Sequence, residues 1–73
     1  MAEIKVKTEV AGRVCSIPTS VGISVDNGED IMLVEAMKME IPVTSTAAGT
    51  IKSILVAVDD VLTEGQVVAV IET

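Results

Sequence analysis

Lys38 is the residue whose setting invites chemistry. It lies in Glu35-Ala36-Met37-Lys38-Met39-Glu40, a primary amine between two methionines, with a carboxylate on either side of the group. An amine so placed can form an amide with an activated carboxyl group once it has lost a proton. No base and no neighbouring cation adjoins it in the sequence, so a second protein must supply both the deprotonation and the activated acyl group. Lys38 is therefore a substrate rather than a catalyst. Other reactive side chains are sparse. Cys15 is the single cysteine and has no charged or metal-binding neighbour, so a small core residue is expected there. Asp26-Asn27-Gly28 and Asp59-Asp60 resemble fragments of calcium loops without the acid spacing, and read as turns. With no histidine at all, neither a histidine-rich metal site nor a histidine triad can be assembled. No metal and no catalytic activity of its own are expected of this chain.

The chain that must position Lys38 has 73 residues, enough for one domain over residues 1–73. Its apolar fraction is 49%, with 13 Val and 8 Ile but no Phe, Tyr or Trp. Stiff β-branched side chains favour pleated strands, so the composition predicts an all-β fold with an aliphatic core. Eleven acids against five bases give a net charge of −6 and a pI near 4.3. Such a surface repels phosphate backbones and offers no ring on which a base could stack, which excludes nucleic acid as a partner. The longest apolar runs, such as Val67 to Ile71, span five residues; a membrane crossing takes about 20. The start, Met1-Ala2-Glu3-Ile4-Lys5, has no apolar signal region. A lone cysteine suits a reducing compartment, so a cytoplasmic location is expected.

An internal repeat organises the elements. Residues 2–36 laid over 39–73 at a constant offset of 37 give ten identities in 35 pairs, among them Gly12/Gly49, Gly28/Gly65 and Glu35/Glu72. Each copy reads as an alternating strand (Glu3 to Lys7; Glu40 to Thr44), a small-residue turn at Ala11-Gly12 or Ala48-Gly49, and a second strand (Arg13 to Ile17; Thr50 to Val56). A polar loop with Asn27-Gly28 or Glu64-Gly65 follows, where positive φ is wanted, and then a closing strand (Ile31 to Ala36; Val67 to Glu72). No segment has a helical period. Two such units facing each other predict a flattened β-barrel of two antiparallel sheets related by a pseudo-two-fold axis, which also hides sheet edges.

Only residues 37 and 38 separate the copies, so the expected hairpin has Met37-Lys38 as its two-residue loop. Such loops favour Asn-Gly, because positive φ is costly beside a Cβ. Methionine and lysine here point to side chains kept for their chemistry. The hairpin register puts Ala36 opposite Met39, Val34 opposite Ile41 and Met32 opposite Val43 on a core-facing side, with Met39 partly core. On the other side Glu35 opposes Glu40, an unfavourable like-charge pair. It reads either as a docking point for a basic partner or as a solvated strand face. Glu3 and Glu72 would make the same pair at the far end, where no lysine lies, so duplication alone accounts for it.

Glu35-Ala36-Met37-Lys38-Met39-Glu40 resembles the attachment motif of biotin carboxyl carrier proteins and biotinyl domains, and the likeness extends over nearly the whole chain. The resemblance implies a barrel-sandwich hybrid with the lysine on a protruding hairpin. It implies that a biotin protein ligase joins biotin to Lys38 from biotinyl-adenylate, with Glu35, Ala36, Met37, Met39 and Glu40 as the recognition motif. The biotin would carry a carboxyl group from a biotin carboxylase to a carboxyltransferase, with an acyl-CoA as acceptor, as in the acyl-CoA carboxylases of fatty acid metabolism. Met37 is expected to pack near the attached arm. Some departures stand out. Where family members often have Gly-Asp, this chain has Gly22-Ile23 and Asp59-Asp60, and where they often have Ala-Pro it has Ser45-Thr46. The gapless repeat leaves no room for the inserted thumb of some carriers. Two other functions fit the same fold: a lipoyl-attachment domain, though these usually carry Asp-Lys-Ala, and an unmodified interaction module.

Overall fold

The computed structural model describes residues 2–73. Its elements are eight strands: β1 (Glu3–Lys7), β2 (Gly12–Ser16), β3 (Ser24–Val25), β4 (Asp30–Ala36), β5 (Met39–Thr44), β6 (Gly49–Ile54), β7 (Val61–Leu62) and β8 (Val67–Glu72). They form two four-stranded antiparallel sheets, ordered β1-β8-β6-β3 and β5-β4-β2-β7. No helix forms among the described residues. At the offset of 37, strands β5 to β8 repeat β1 to β4. The all-β expectation and the pseudo-symmetry hold, with two corrections. Each copy has a fourth, two-residue strand (β3 or β7) that the sequence pattern did not reveal. Each sheet also takes two strands from each copy, so the copies interlock instead of facing each other as separate units.

Four bulges explain how so small a chain fills its core. The pairing skips Cys15 in β2, Ile31 in β4, Lys52 in β6 and Val68 in β8. A bulge breaks the in–out alternation. Ile31 and Met32 are therefore both fully buried, as are their repeat mates Val68 and Ala69. The core is wholly aliphatic, and its largest side chains are Ile31, Met32, Ile51, Leu62 and Ile71. Cys15 corrects its expectation: as a bulge residue it is only half-buried, with Sγ 3.9 Å from the Arg13 carbonyl oxygen.

Loop positions match between copies. Gly28 and Gly65 adopt φ of 87° and 84°, as their turns require. Thr8 and Ser45, both buried, close equivalent bends: each hydroxyl donates to the carbonyl two residues on, and accepts that residue's N–H at 3.3 Å. The Ser45 departure thus reproduces what Thr8 does in the first copy. Gly12 and Gly49 differ from their expected role as turn residues. Both open strands, and a Cβ on either would strike the neighbouring backbone.

Lys52, at its bulge, reaches across β8 to pair with Glu3. The hydrogen bond from Lys52, then its charge, holds the Glu3 carboxyl below the usual carboxylate range, and Glu3 in turn raises Lys52. A depressed carboxyl stabilises the fold above its unfolded value and loses that contribution as pH falls; a raised lysine loses its contribution as pH rises. Both ends are exposed, so the effect is small. Lys52→Gln is expected to lower the thermal midpoint slightly at neutral pH. The difference from wild type should close toward about pH 3 and again toward about pH 11, as thermal melts across that range would show.

Candidate functional site

The β4–β5 hairpin carries Lys38 at its tip. The register is the expected one: Ala36 lies opposite Met39, Glu35 opposite Glu40, Val34 opposite Ile41 and Met32 opposite Val43. Met37 and Lys38 have φ of 53° and 65°. Two successive left-handed residues are the backbone of a type I′ turn, the form that matches the strand twist. For residues with a Cβ this conformation costs roughly 1–2 kcal/mol each. The long β4–β5 ladder holds the turn in place.

The tip is bare. Lys38 is exposed and forms no ion pair among the described residues. Met37 is 87% exposed and Met39 63% exposed, while Ala36 is half-buried. Met39 corrects the expectation that it is partly core. It continues the inward-facing row of Val34, but at the tip it lies beyond the reach of the opposite sheet. Met37 stands almost wholly in solvent, and both methionines are open to a partner.

Glu35 is not a freely solvated carboxylate. Arg13 on β2 stands opposite it, and Nη2 of Arg13 donates to Oε1 of Glu35 at 3.3 Å. Nη1 of the same guanidinium donates to Oδ1 of Asp59 at 2.6 Å. Glu35, then Asp59, holds the guanidinium above its usual pKa. The hairpin motif alone did not suggest this link. The signal available in the sequence was that Arg13 is the single arginine, with Thr50 as its repeat mate. Glu40 has no cationic partner among the described residues. Asp60 closes its own turn, with Oδ2 accepting the Ala57 N–H at 2.9 Å. Among the described residues no three His, Cys, Asp or Glu side chains are grouped as a metal site.

The tip thus presents an exposed primary amine, without an ion-pair partner among the described residues, on a two-residue turn. Residues 4–71 match the family model described as biotin-requiring enzyme. The chain belongs to the biotinyl/lipoyl attachment family. It is 39% identical over 71 residues to the "biotinylated protein TB7.3 homolog" of Mycobacterium leprae, covering 97% of this chain and 99% of that one. To the "biotin/lipoyl attachment protein" of Bacillus subtilis it is 29% identical over 62 residues, or 85% of each chain. Among solved structures, it superposes on part of the urea carboxylase of Kluyveromyces lactis with a TM-score of 0.93 and 32% identity, covering 99% of this chain and 6% of that one. A single-chain, multi-domain long-chain acyl-CoA carboxylase matches with a TM-score of 0.84 and 25% identity, over 93% of this chain and 7% of that one. The lipoyl domain of an Azotobacter vinelandii 2-oxoglutarate dehydrogenase complex shares the fold, with a TM-score of 0.74. This biotinyl/lipoyl domain is accordingly a carrier of the kind built into biotin-dependent carboxylases, and is not itself catalytic.

Proposed function

We propose that Lys38 is the attachment residue for biotin and that this domain carries carboxyl groups within a biotin-dependent carboxylase. The observation that carries the reading is the tip itself: an amine with no ion-pair partner among the described residues, on a strained two-residue turn that glycine would fit better. The residues fit the group, because an amide to biotin needs one accessible primary amine and nothing to cover it. Lys38 Nζ forms a bond to the activated carboxyl carbon of biotin, and the bond from that carbon to its activating phosphate breaks. Nitrogen gives up two of its three ammonium protons and keeps one as the amide N–H. A biotin protein ligase takes up the protons and supplies the activation, since no side chain here acts as base. The net charge becomes −7 from −6.

Bound biotin supplies the group on which a carboxyl unit travels. The domain contributes a stiff base and a flexible lysine stem. Tethering keeps the arm near both a biotin carboxylase and a carboxyltransferase, which raises the effective concentration at each site. We take the acceptor to be an acyl-CoA. The closer likeness to part of a urea carboxylase makes urea the competing acceptor, and paired carboxylation assays with the biotinylated domain separate the two. Glu35, Ala36, Met37, Met39 and Glu40 surround the lysine as the recognition motif. Met37→Leu, at a position almost wholly in solvent, should keep stability while slowing transfer to the partner enzymes. Unchanged transfer would remove Met37 from that role.

The test is intact mass after expression with biotin and an active ligase, beside Lys38→Arg. One biotinyl increment, lost in the variant, is expected. A lipoyl-sized increment on Lys38 would move the domain to acyl-group carriage, and no increment on folded protein would favour an unmodified interaction module.

A further inference from the structure

Duplication gives the Lys38 end of the molecule a built-in comparison. Across the outer face of one sheet, Glu40, Glu35, Arg13 and Val61 stand side by side on β5, β4, β2 and β7. The equivalent row at the far end is Glu3, Glu72, Thr50 and Ser24. The carboxylate pair is common to both ends, so it says nothing about Lys38. The row differs in Arg13 for Thr50 and Val61 for Ser24, and the adjoining loop has Asp59 in place of Gly22. The far-end pair is met instead by Lys52, which bonds Glu3 alone and, among the described residues, has no second carboxylate holding it as Asp59 holds Arg13.

The loop exchange carries a modest backbone cost, since aspartate enters the left-handed region less readily than glycine, though more readily than most residues. Asp59 has φ of 77° where Gly22 has 91°. The two loops are stapled alike. Gly22 N–H donates to the Ile51 carbonyl at 2.8 Å and Asp59 N–H to the Val14 carbonyl at 2.9 Å. Ile51 N–H returns to Ile23 and Val14 N–H to Asp60, each at 2.9 Å. Nothing in the backbone calls for aspartate, and a left-handed residue with a Cβ is strained. Its carboxylate serves one visible purpose, the 2.6 Å bond to Arg13. That pair is well exposed, with side-chain exposures of 48% and 72%, and exposed pairs add little to stability. A backbone cost kept without a folding return, in a residue tied through Arg13 to Glu35 near the Lys38 turn, points to function.

We propose that Arg13 and Asp59 are positioning residues for the acylation of Lys38. Asp59 anchors the guanidinium on one side, and on the other the guanidinium fixes the Glu35 carboxylate beside Glu40, which has no cationic partner among the described residues. Without that anchor the two like charges would splay apart. The enzyme that acylates Lys38 then meets two placed carboxylates on the sheet face next to the hairpin and binds them with a cationic surface of its own. Three carboxylates against one guanidinium make this face the charge complement of such a surface. The inference rests on Lys38 being the acylated residue.

Swapping in the repeat mates tests it. Initial rates of biotin incorporation by a biotin protein ligase would be measured with varied carrier for wild type, Asp59→Gly, Arg13→Thr, the double variant and Arg13→Lys. Asp59→Gly is expected to melt at or above the wild-type temperature and yet to raise the KM for carrier about fivefold, with kcat within about twofold. Arg13→Thr should do the same, and the double variant should be no worse, because one linkage is being broken. Arg13→Lys should recover only part of the loss, since an ammonium cannot bridge two carboxylates as a planar fork does. The wild-type advantage should shrink as salt is raised. KM values within about twofold of wild type in both single variants, or a rate loss in Asp59→Gly that merely follows a lowered melting temperature, would overturn the proposal while leaving the carrier reading standing. Folded wild type that takes up no biotin would overturn both.

Discussion

Gly12→Ala is expected to lower the stability of the fold by about 3 kcal/mol. A Cβ at this position would overlap the Glu35 carbonyl oxygen and sit 2.9 Å from Cγ1 of Val34. The first obstacle is backbone, which cannot rotate away as a side-chain tip can. β2 lies between β4 and β7, so relief would require prying apart the centre of the sheet. A domain of this size is only marginally stable, and the loss corresponds to a midpoint roughly 12–20 °C lower. Gly49→Ala meets the matching obstacles, the Glu72 carbonyl oxygen at 2.6 Å and Cγ2 of Ile71 at 2.7 Å, and should be destabilised comparably. The two variants differ in place. A Cβ on Gly12 would press on Glu35, one pair behind the Lys38 turn, and a Cβ on Gly49 would press on the far end. Urea titrations should show both losses, while biotin incorporation at low temperature, where both variants are folded, should fall for Gly12→Ala alone. Equal loss of incorporation would mean that global stability, and not hairpin geometry, governs acceptance.

The same pair shows what the sequence conveys and where it stops. The constant offset of 37 placed Gly12 against Gly49 and left only residues 37 and 38 between the copies; a two-residue loop there fixes the hairpin register residue by residue and puts Val34 and Ile41 on the same side. It gave the Glu35–Glu40 and Glu3–Glu72 oppositions for the same reason. Why those glycines are glycines was not legible. A turn and a close approach of strands leave the same residue in a sequence, and only coordinates show what a Cβ would strike. The bulges at Cys15, Ile31, Lys52 and Val68 were hidden likewise, since one extra residue in a Val-rich run changes no composition. The interlocking of the copies depends on long-range pairing, which a repeat leaves open. At the candidate site, Lys38 and its neighbours stand in one contiguous motif, which a sequence displays without any long-range pairing. Arg13 and Asp59 are separated by 46 positions and come together only through β2 and the loop before β7.

Met37→Asn with Lys38→Gly should make the domain more stable and useless as a biotin acceptor. The turn is already type I′ in shape, with φ of 53° and 65° at two residues that resist such values. Asn-Gly adopts them readily, so the substitution should release about 1–2 kcal/mol and raise the midpoint by roughly 5–10 °C. Biotin incorporation should vanish with the amine. Lys38→Arg separates the two effects, since it keeps a Cβ at the left-handed position and should match wild type in stability while accepting no biotin. Met37→Asn alone decides why the methionine is there. It keeps the lysine, relieves one strained residue and touches no packing, because Met37 is 87% exposed. A variant that melts higher but is biotinylated or served by its carboxylase partners more slowly would show that the methionine is retained for recognition, against the preference of its own backbone. A variant that melts higher and works as well would leave the lysine alone as the reason this turn is not Asn-Gly.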